Sequence, residues 1–253
     1  MTADGFDFNF AAGALIDIGK KRTANQDEVI ACPEYGFFAV CDGMGGLPGG
    51  GDASQMVASV LPGIIGQAQR ELSTSPSPDS VAEILKSYVQ MISNNIYDTV
   101  NRRGIAFGST LCGVWLAGRY AIFVNIGDSR GYILPRYKWH LRQITHDHNV
   151  AAHLVAQGEL TKSQAQGHPT SSRLTQFLGM PSPALPDTFI EEIRPGDRIL
   201  LCSDGLYGMA AEPQIKRIMR SSKSAVRVCR RLVDAANGAG GRDNISAVYL
   251  KIQ

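Results

Sequence analysis

Long apolar runs are missing from this sequence, and its longest apolar stretches fall far short of the roughly 20 residues that a bilayer-crossing helix needs. An excess of one charge is missing too: 25 Lys and Arg stand against 23 Asp and Glu in 253 residues, a formal charge of +2. No basic run is long enough to form a nucleic-acid stripe or a polybasic membrane patch, so neither partner is expected. Cysteine is scarce and scattered. Cys32, Cys41, Cys112, Cys202 and Cys229 form no C-x-x-C pair, which argues against a structural zinc site and a disulfide scaffold. Each lies in or beside an apolar run, so free buried thiols and a reducing cytoplasm are expected. The first ten residues carry Asp4 and Asp7 in place of a basic n-region, unlike a signal peptide. Internal repeats are absent, and only Ser73 to Pro78 is low in complexity, a loop too short to divide two domains.

What is present suits one folded domain over residues 1–253, with 44% hydrophobic and 19% charged residues. Ala53, Met56, Val57, Val60, Leu61, Ile64, Ile65 and Ala68 recur at three- and four-residue spacing, predicting a helix from about Asp52 to Gln69. Pro62 should kink or break it. A second helix is expected from an N-cap near Asp79 to about Arg102. The period then changes. Ser109 to Ala117, Tyr120 to Ile126, Tyr132 to Leu134 and Trp139 to Ile144 read as strands of one antiparallel meander. Asp147 to Gln166 reads as one or two short helices on a mobile excursion. Strands follow at Thr188 to Ile193 and Arg198 to Cys202, helices near Pro213 to Arg220 and Ser224 to Ala236, and a last strand over Asn244 to Ile252. Strands and helices in blocks with short connections favour an α+β domain with antiparallel sheets and helices packed outside.

The informative feature is where the aspartates fall. Asp42 ends the run Phe37 to Cys41 and precedes Gly43, and Asp128 follows Ile122 to Ile126. Asp204 follows Ile199 to Cys202 and precedes Gly205, and Asp243 opens the final strand after Gly240-Gly241-Arg242. A single Asp-Gly beside a strand is an ordinary turn. Four in this setting point to a shared site, where two carboxylates about 4 Å apart would repel by about 4 kcal/mol at an effective dielectric of 20. Hard divalent cations with oxygen ligands, Mg²⁺ or Mn²⁺, would relieve that repulsion, and no His or Cys cluster invites zinc or copper. Convergence itself is not written in the sequence.

Other motifs weigh less. Gly43 to Gly51 lacks the Gly-Lys-Ser/Thr ending of a P-loop and the G-x-G-x-x-G spacing. His146-Asp147-His148 is a single alternating pair and reads as structural or surface. Gly127-Asp128-Ser129-Arg130-Gly131 matches G-x-S-x-G, but a strand follows where a nucleophile elbow needs a helix.

Taken together, several segments resemble the metal-dependent type-2C Ser/Thr protein phosphatases, above all their compact bacterial members. They are Arg22 to Asp27, Val40 to Gly46 with Ala53-Ser54, Gly108 to Thr110, Asn125 to Arg130, Thr145 to His148, Gly196 to Arg198, Leu201 to Leu206 and Gly240 to Ile245, in the family's order. The resemblance implies a four-layer α-β-β-α sandwich, two central antiparallel sheets flanked by helix pairs. It implies that Asp42 bridges two Mn²⁺ or Mg²⁺ ions, that the Gly43 carbonyl binds one, and that Asp204 and Asp243 complete the shell of the other. Asp128, sharing Asp204, would help hold a weaker third ion. Arg22 would grip the substrate phosphate, Asp27 would accept a hydrogen bond from metal-bound water, and residues 147–173 would form the flap beside the site. Two metals about 3.5–4 Å apart can clamp phosphoryl oxygens and activate a shared water for in-line attack. A guanidinium suits two phosphate oxygens at once.

Two departures stand out: Gln26 where many members carry glutamate, and Met44 where animal members have histidine, leaving the general acid open, with a metal-bound water or His148 as a possible donor. The implied activity is hydrolysis of phosphoserine and phosphothreonine on protein substrates, opposing a Ser/Thr kinase, by a cytoplasmic monomer. A serine esterase using Ser129, a non-catalytic scaffold of the same fold and a small-molecule phosphatase are the alternatives.

Overall fold

The computed structural model describes residues 9–45, 51–72, 76–104, 106–138 and 140–253. The expectations for the first eight residues, Gly46 to Gly50, Ser73 to Ser75 of the Ser73–Pro78 loop and Trp139 lie outside the described residues.

The chain opens with strands β1 (Phe10–Asp17) and β2 (Asp27–Cys32), then β3 (Phe37–Gly45). Helices α1 (Asp52–Glu71) and α2 (Pro78–Arg103) follow, then β4 (Phe107–Ser109), β5 (Leu111–Ala117), β6 (Tyr120–Ile126), β7 (Arg130–Leu134) and β8 (Arg142–Gln143). Short helices α3 (Val150–Ala156) and α4 (Lys162–Ala165) form the excursion. The remainder is β9 (Asp187–Glu192), β10 (Arg198–Cys202), α5 (Asp204–Tyr207), α6 (Glu212–Met219), α7 (Ala225–Gly238) and β11 (Ile245–Ile252).

The strands form two antiparallel sheets, one in the order β1-β11-β10-β7-β8 and the other in the order β2-β3-β5-β6-β9, with β4 paired to β3. Three apolar clusters separate four layers. Val57, Leu61, Ile65, Leu85, Val89 and Ile96 of α1 and α2 pack on Phe37, Ala39, Trp115 and Ile122. Val228, Leu232 and Val233 of α7 pack on Leu200, Cys202, Ala247 and Tyr249. Between the sheets lie Phe38, Val40, Val114 and Phe123 against Ile133, Ile199, Leu201, Val248 and Leu250. Successive residues of β3, β6 and β10 thus enter different cores, which is why these strands read as continuous apolar runs. The four-layer α+β expectation holds. All five cysteines are free and buried, and among the described residues no helix is long and apolar enough to cross a membrane.

Several local expectations need correction. The proposed meander does not stay in one sheet: β6 pairs with β5 and β9, whereas β7 pairs with β10 and β8 across the sandwich. The switch takes only Gly127 to Ser129, and Gly127 makes it at φ +101°, in the region that favours glycine. Pro62 does not break α1, which runs through it. Ser77, not Asp79, caps α2, its side chain accepting from the Ser80 amide, while Asp79 lies in the first turn. The strand expected over Trp139–Ile144 is reduced to Arg142–Gln143. Strand β3 continues past Asp42 to Gly45 because β4 extends the pairing there.

Candidate metal centre

The period-2 alternation that fills the inter-sheet core with Phe38 and Val40 places Asp42 on the same inner face of β3. Asp27 stands directly opposite it in the β2–β3 register. From the other sheet, β10 continues from Leu201 to Ser203 and Asp204, and β11 begins beyond Asp243 and Asn244. Asp128 sits in the crossover from β6 to β7. One end of the sandwich is therefore polar where the rest of its interior is apolar.

Backbone pairing holds these groups in place. The Asp42 amide donates to Thr110 Oγ1 at 3.0 Å, and its carbonyl accepts from the Thr110 amide at 2.9 Å. Ser203 Oγ donates to Asp27 Oδ2 at 2.7 Å and accepts from the Ser246 amide at 3.0 Å, joining the two sheets through a buried carboxylate. Asn244 ties the Arg22 loop down: its side chain donates to the Ile18 and Ala24 carbonyls and accepts from the Gln26 amide. Gly43 donates its amide to the Gln26 carbonyl at 3.0 Å, and Ser54 of α1 reaches the same carbonyl at 2.6 Å. Gly205 is required by a close approach, since a Cβ there would run into the Asn244 carbonyl. Tyr207 donates to the Asp128 carbonyl at 3.0 Å and lies beneath the Arg130 guanidinium, which binds Asp147 through two nitrogens. Thr110, Ser203, Ser246, Asn244 and Tyr207 had no assigned role at the sequence level. Their signal is register, which becomes visible only once the strands are paired.

The electrostatics are those of crowded carboxylates. Burial, then the neighbouring Asp27, Asp204, Asp128 and Asp243, raise Asp42 well above the usual carboxylate range. Burial pushes Asp27 up to about 7 against the opposing hydrogen bond of Ser203, with Asp204 and Asp243 adding to the rise. Asp128 is pushed up to about 7 by burial, Asp204 and Asp147. Asp204 rises to about 6 through burial and Asp243, opposed by Arg22 and a hydrogen bond with Asp42. Asp42 thus lies within electrostatic reach of Asp27, Asp128, Asp204 and Asp243.

Arg22 joins them, its Nη2 lying 2.7 Å from Asp243 Oδ2 with its side chain about half exposed. Its positive charge is felt at Asp204, and Asp42 and Asp204 act on it in return. Among the described residues no three acidic, His or Cys side chains are gathered tightly enough to cage a metal ion as they stand. One Asp243 oxygen is instead held by the guanidinium. The Oδ1 atoms of Asp27 and Asp204 are buried without a hydrogen-bond partner.

The histidines of residues 146–148 are structural. His146 packs edge-on against Phe189, and His148 Nδ1 accepts from the Gly127 amide while Nε2 faces Asp187 at 3.1 Å. With both ring nitrogens engaged, His148 is not free to protonate a leaving group. Ser129 is fully buried, 2.7 Å from Thr110 Oγ1, and leads into β7, so it presents no nucleophile to a substrate.

The family model for protein phosphatase 2C matches residues 19–247. The chain is 31% identical over 242 residues to the protein phosphatase PhpP of Streptococcus pneumoniae, covering 94% of this chain and 96% of the relative. Its fold superposes on the Streptococcus agalactiae serine/threonine phosphatase with a TM-score of 0.87 at 26% identity, covering 97% and 100% of the two chains. It superposes on the catalytic domain of the serine/threonine protein phosphatase PstP, a structure in complex with two manganese ions, with a TM-score of 0.82 at 30% identity and coverage of 96% and 98%.

Proposed function

The chain belongs to the protein phosphatase 2C family, and from that premise we propose that it is a metal-dependent phosphoprotein phosphatase acting on phosphoserine and phosphothreonine. The observation that carries this reading is the meeting of Asp27, Asp42, Asp128, Asp204 and Asp243 at one end of the sandwich with Arg22 at its rim.

The residues fit a hard divalent cation, Mn²⁺ or Mg²⁺. Their donors are all oxygen, their charges raise one another's pKa, and two buried carboxylate oxygens have no partner. Asp42, the Gly43 carbonyl, Asp204 and Asp243 would hold two ions, with Asp128 and Asp204 available to a third. Bound there, the cations supply positive charge to the phosphoryl oxygens and a water acidic enough to attack phosphorus in line.

The chain's own groups do the rest. Arg22 is long and half-exposed, so it can exchange Asp243 for two oxygens of a substrate phosphate and orient the ester. Asp27 has one oxygen fixed by Ser203 and the other free, which aims a hydrogen-bond acceptor into the cleft. Asp147, bound by Arg130, anchors the start of the flap, residues 147–173, to the beginning of β7. We take residues 1–253 as one catalytic domain that works as a cytoplasmic monomer in signalling and opposes a Ser/Thr kinase on phosphorylated proteins, with no nucleic-acid or membrane partner.

The test is release of phosphate from phosphoserine, phosphothreonine and phosphotyrosine peptides with and without Mn²⁺. Turnover of the first two that vanishes in chelator supports the reading. Phosphate release that persists in full in chelator would contradict metal dependence and overturn the reading.

A further inference from the structure

The carboxylate cluster occupies one end of β10 and β11, and a different chemistry occupies the other. Arg198 opens β10 and faces Lys251 of β11 directly across the antiparallel pairing. Both side chains lie on the outer face of the sheet, continuing the alternation of Cys202 and Leu200 on one strand and Ala247 and Tyr249 on the other. Arg136, just past the end of β7, completes a third cation around a cavity of about 400 Å³ that Gly196 and Gln253 also line. That volume lies within the range of small-molecule sites, about 300–1,000 Å³.

Like charges directly opposite on neighbouring strands repel. Among the described residues none of the three forms an ion pair. The nearby carboxylate is Asp197, which is buried and spends its oxygens on the Arg136 and Arg194 amides at 2.8 and 3.0 Å. Among the described residues the three cations therefore outnumber the one side-chain carboxylate bonded to this loop. Arg198 donates one Nη1 bond to the Gly196 carbonyl at 3.0 Å and its guanidinium also acts on the neighbouring Tyr249 hydroxyl, while its Nε is buried without a partner. Gly196, at φ +96°, carries no side chain, and the Arg136 stem packs where a Cβ would stand. The Arg136 guanidinium lies 4.9 Å from the ring centre of Tyr137, a residue left 82% exposed.

We propose that this pocket is a second anion site, binding the phosphate group of a small molecule between Arg136, Arg198 and Lys251. It lies about 20 Å along β11 from the carboxylate end, taking six residue steps at about 3.3 Å each from Ile245 to Lys251, so it is separate from the catalytic cleft. The guanidinium forks of Arg136 and Arg198 match phosphate oxygens in pairs, and an anion between Arg198 and Lys251 removes their repulsion. The ligand is either free inorganic phosphate or a phosphate ester whose organic part reaches Tyr137.

The test is a ¹⁵N–¹H NMR titration of the full Mg²⁺-loaded chain at constant ionic strength, with inorganic phosphate in one arm and adenosine monophosphate in the other. Saturable shifts at the Gly196 and Ile252 amides are expected, with affinity falling about tenfold or more in Arg198→Gln/Lys251→Gln as two charge-assisted contacts are lost. Equal affinity in the two arms identifies phosphate itself as the ligand, and tighter binding of the nucleotide identifies an ester. Shifts confined to the carboxylate end, matching shifts with sodium chloride, or unchanged affinity in the variant would overturn the proposal. Should the double variant lose its native spectrum, Lys251→Gln alone serves the same comparison.

Discussion

Removing divalent cations should make this protein less stable as pH rises, and the carboxylate cluster sets the size of the effect. Asp128 is 7% exposed and its carboxyl is pushed up to about 7 from an ordinary 3.8. A folded-state pKa above the unfolded value means that the folded chain binds the proton more tightly. The stability this contributes is complete below about pH 3.8 and is lost as pH climbs through about 7. At about 1.36 kcal/mol per pH unit, Asp128 alone costs the metal-free fold on the order of 4 kcal/mol by pH 8. Asp27, Asp42 and Asp204 move in the same direction and share their repulsion with it, so their costs do not simply add. Against a total stability of about 5–15 kcal/mol this is a large fraction. About 2.7 kcal/mol of that cost falls between pH 5 and pH 8, so at about 2–4 °C per kcal/mol for a chain approaching this size the melting temperature in chelator should fall by roughly 5–10 °C over that range. Saturating Mn²⁺ should erase most of that fall, so its stabilising effect must widen with pH, and Asp128→Asn should flatten the metal-free profile. A melting temperature in chelator that is level or rising over this range, with an equal Mn²⁺ effect at both ends, would refute the reasoning.

Other consequences are equally direct. Asp42→Asn removes a charge from the centre of the cluster, and phosphopeptide turnover should drop by orders of magnitude while the far-ultraviolet circular dichroism spectrum and a cooperative melt are retained. Arg22→Ala should raise KM for a phosphopeptide about tenfold, the worth of a charge-assisted contact to phosphate. Mn²⁺ affinity measured by calorimetry should hold or increase, because Asp243 loses its cationic partner. Gly205→Ala forces a Cβ against the Asn244 carbonyl and should cost about 2–3 kcal/mol in urea denaturation.

The layered fold was readable because β3, β6 and β10 are buried on both faces and carry unbroken apolar runs, and because α1 and α7 keep clear apolar stripes. Strands β1 and β2 were not read as strands. Phe10–Asp17 is rich in Ala and Gly rather than β-branched residues, and Asp27–Cys32 opens on Asp27 and Glu28, residue types depleted in strands. The change of sheet between β6 and β7 was invisible for a different reason: a three-residue link looks like a hairpin turn, and the positive φ of Gly127 that redirects the chain is a property of the folded backbone. The aspartates were legible one by one. Their meeting was not, because it depends on the Asp27–Asp42 register and on β10 lying between β11 and β7. The Arg22–Asp243 contact bridges 221 positions of sequence and had no local signature.

The most direct measurement of the central claim is anomalous scattering at the manganese edge from crystals grown with Mn²⁺. Peaks in the cleft between Asp42, Asp204 and Asp243, with Arg22 withdrawn from Asp243, are the predicted result. A map without manganese at those carboxylates, or with manganese bound only elsewhere on the chain, would contradict the account.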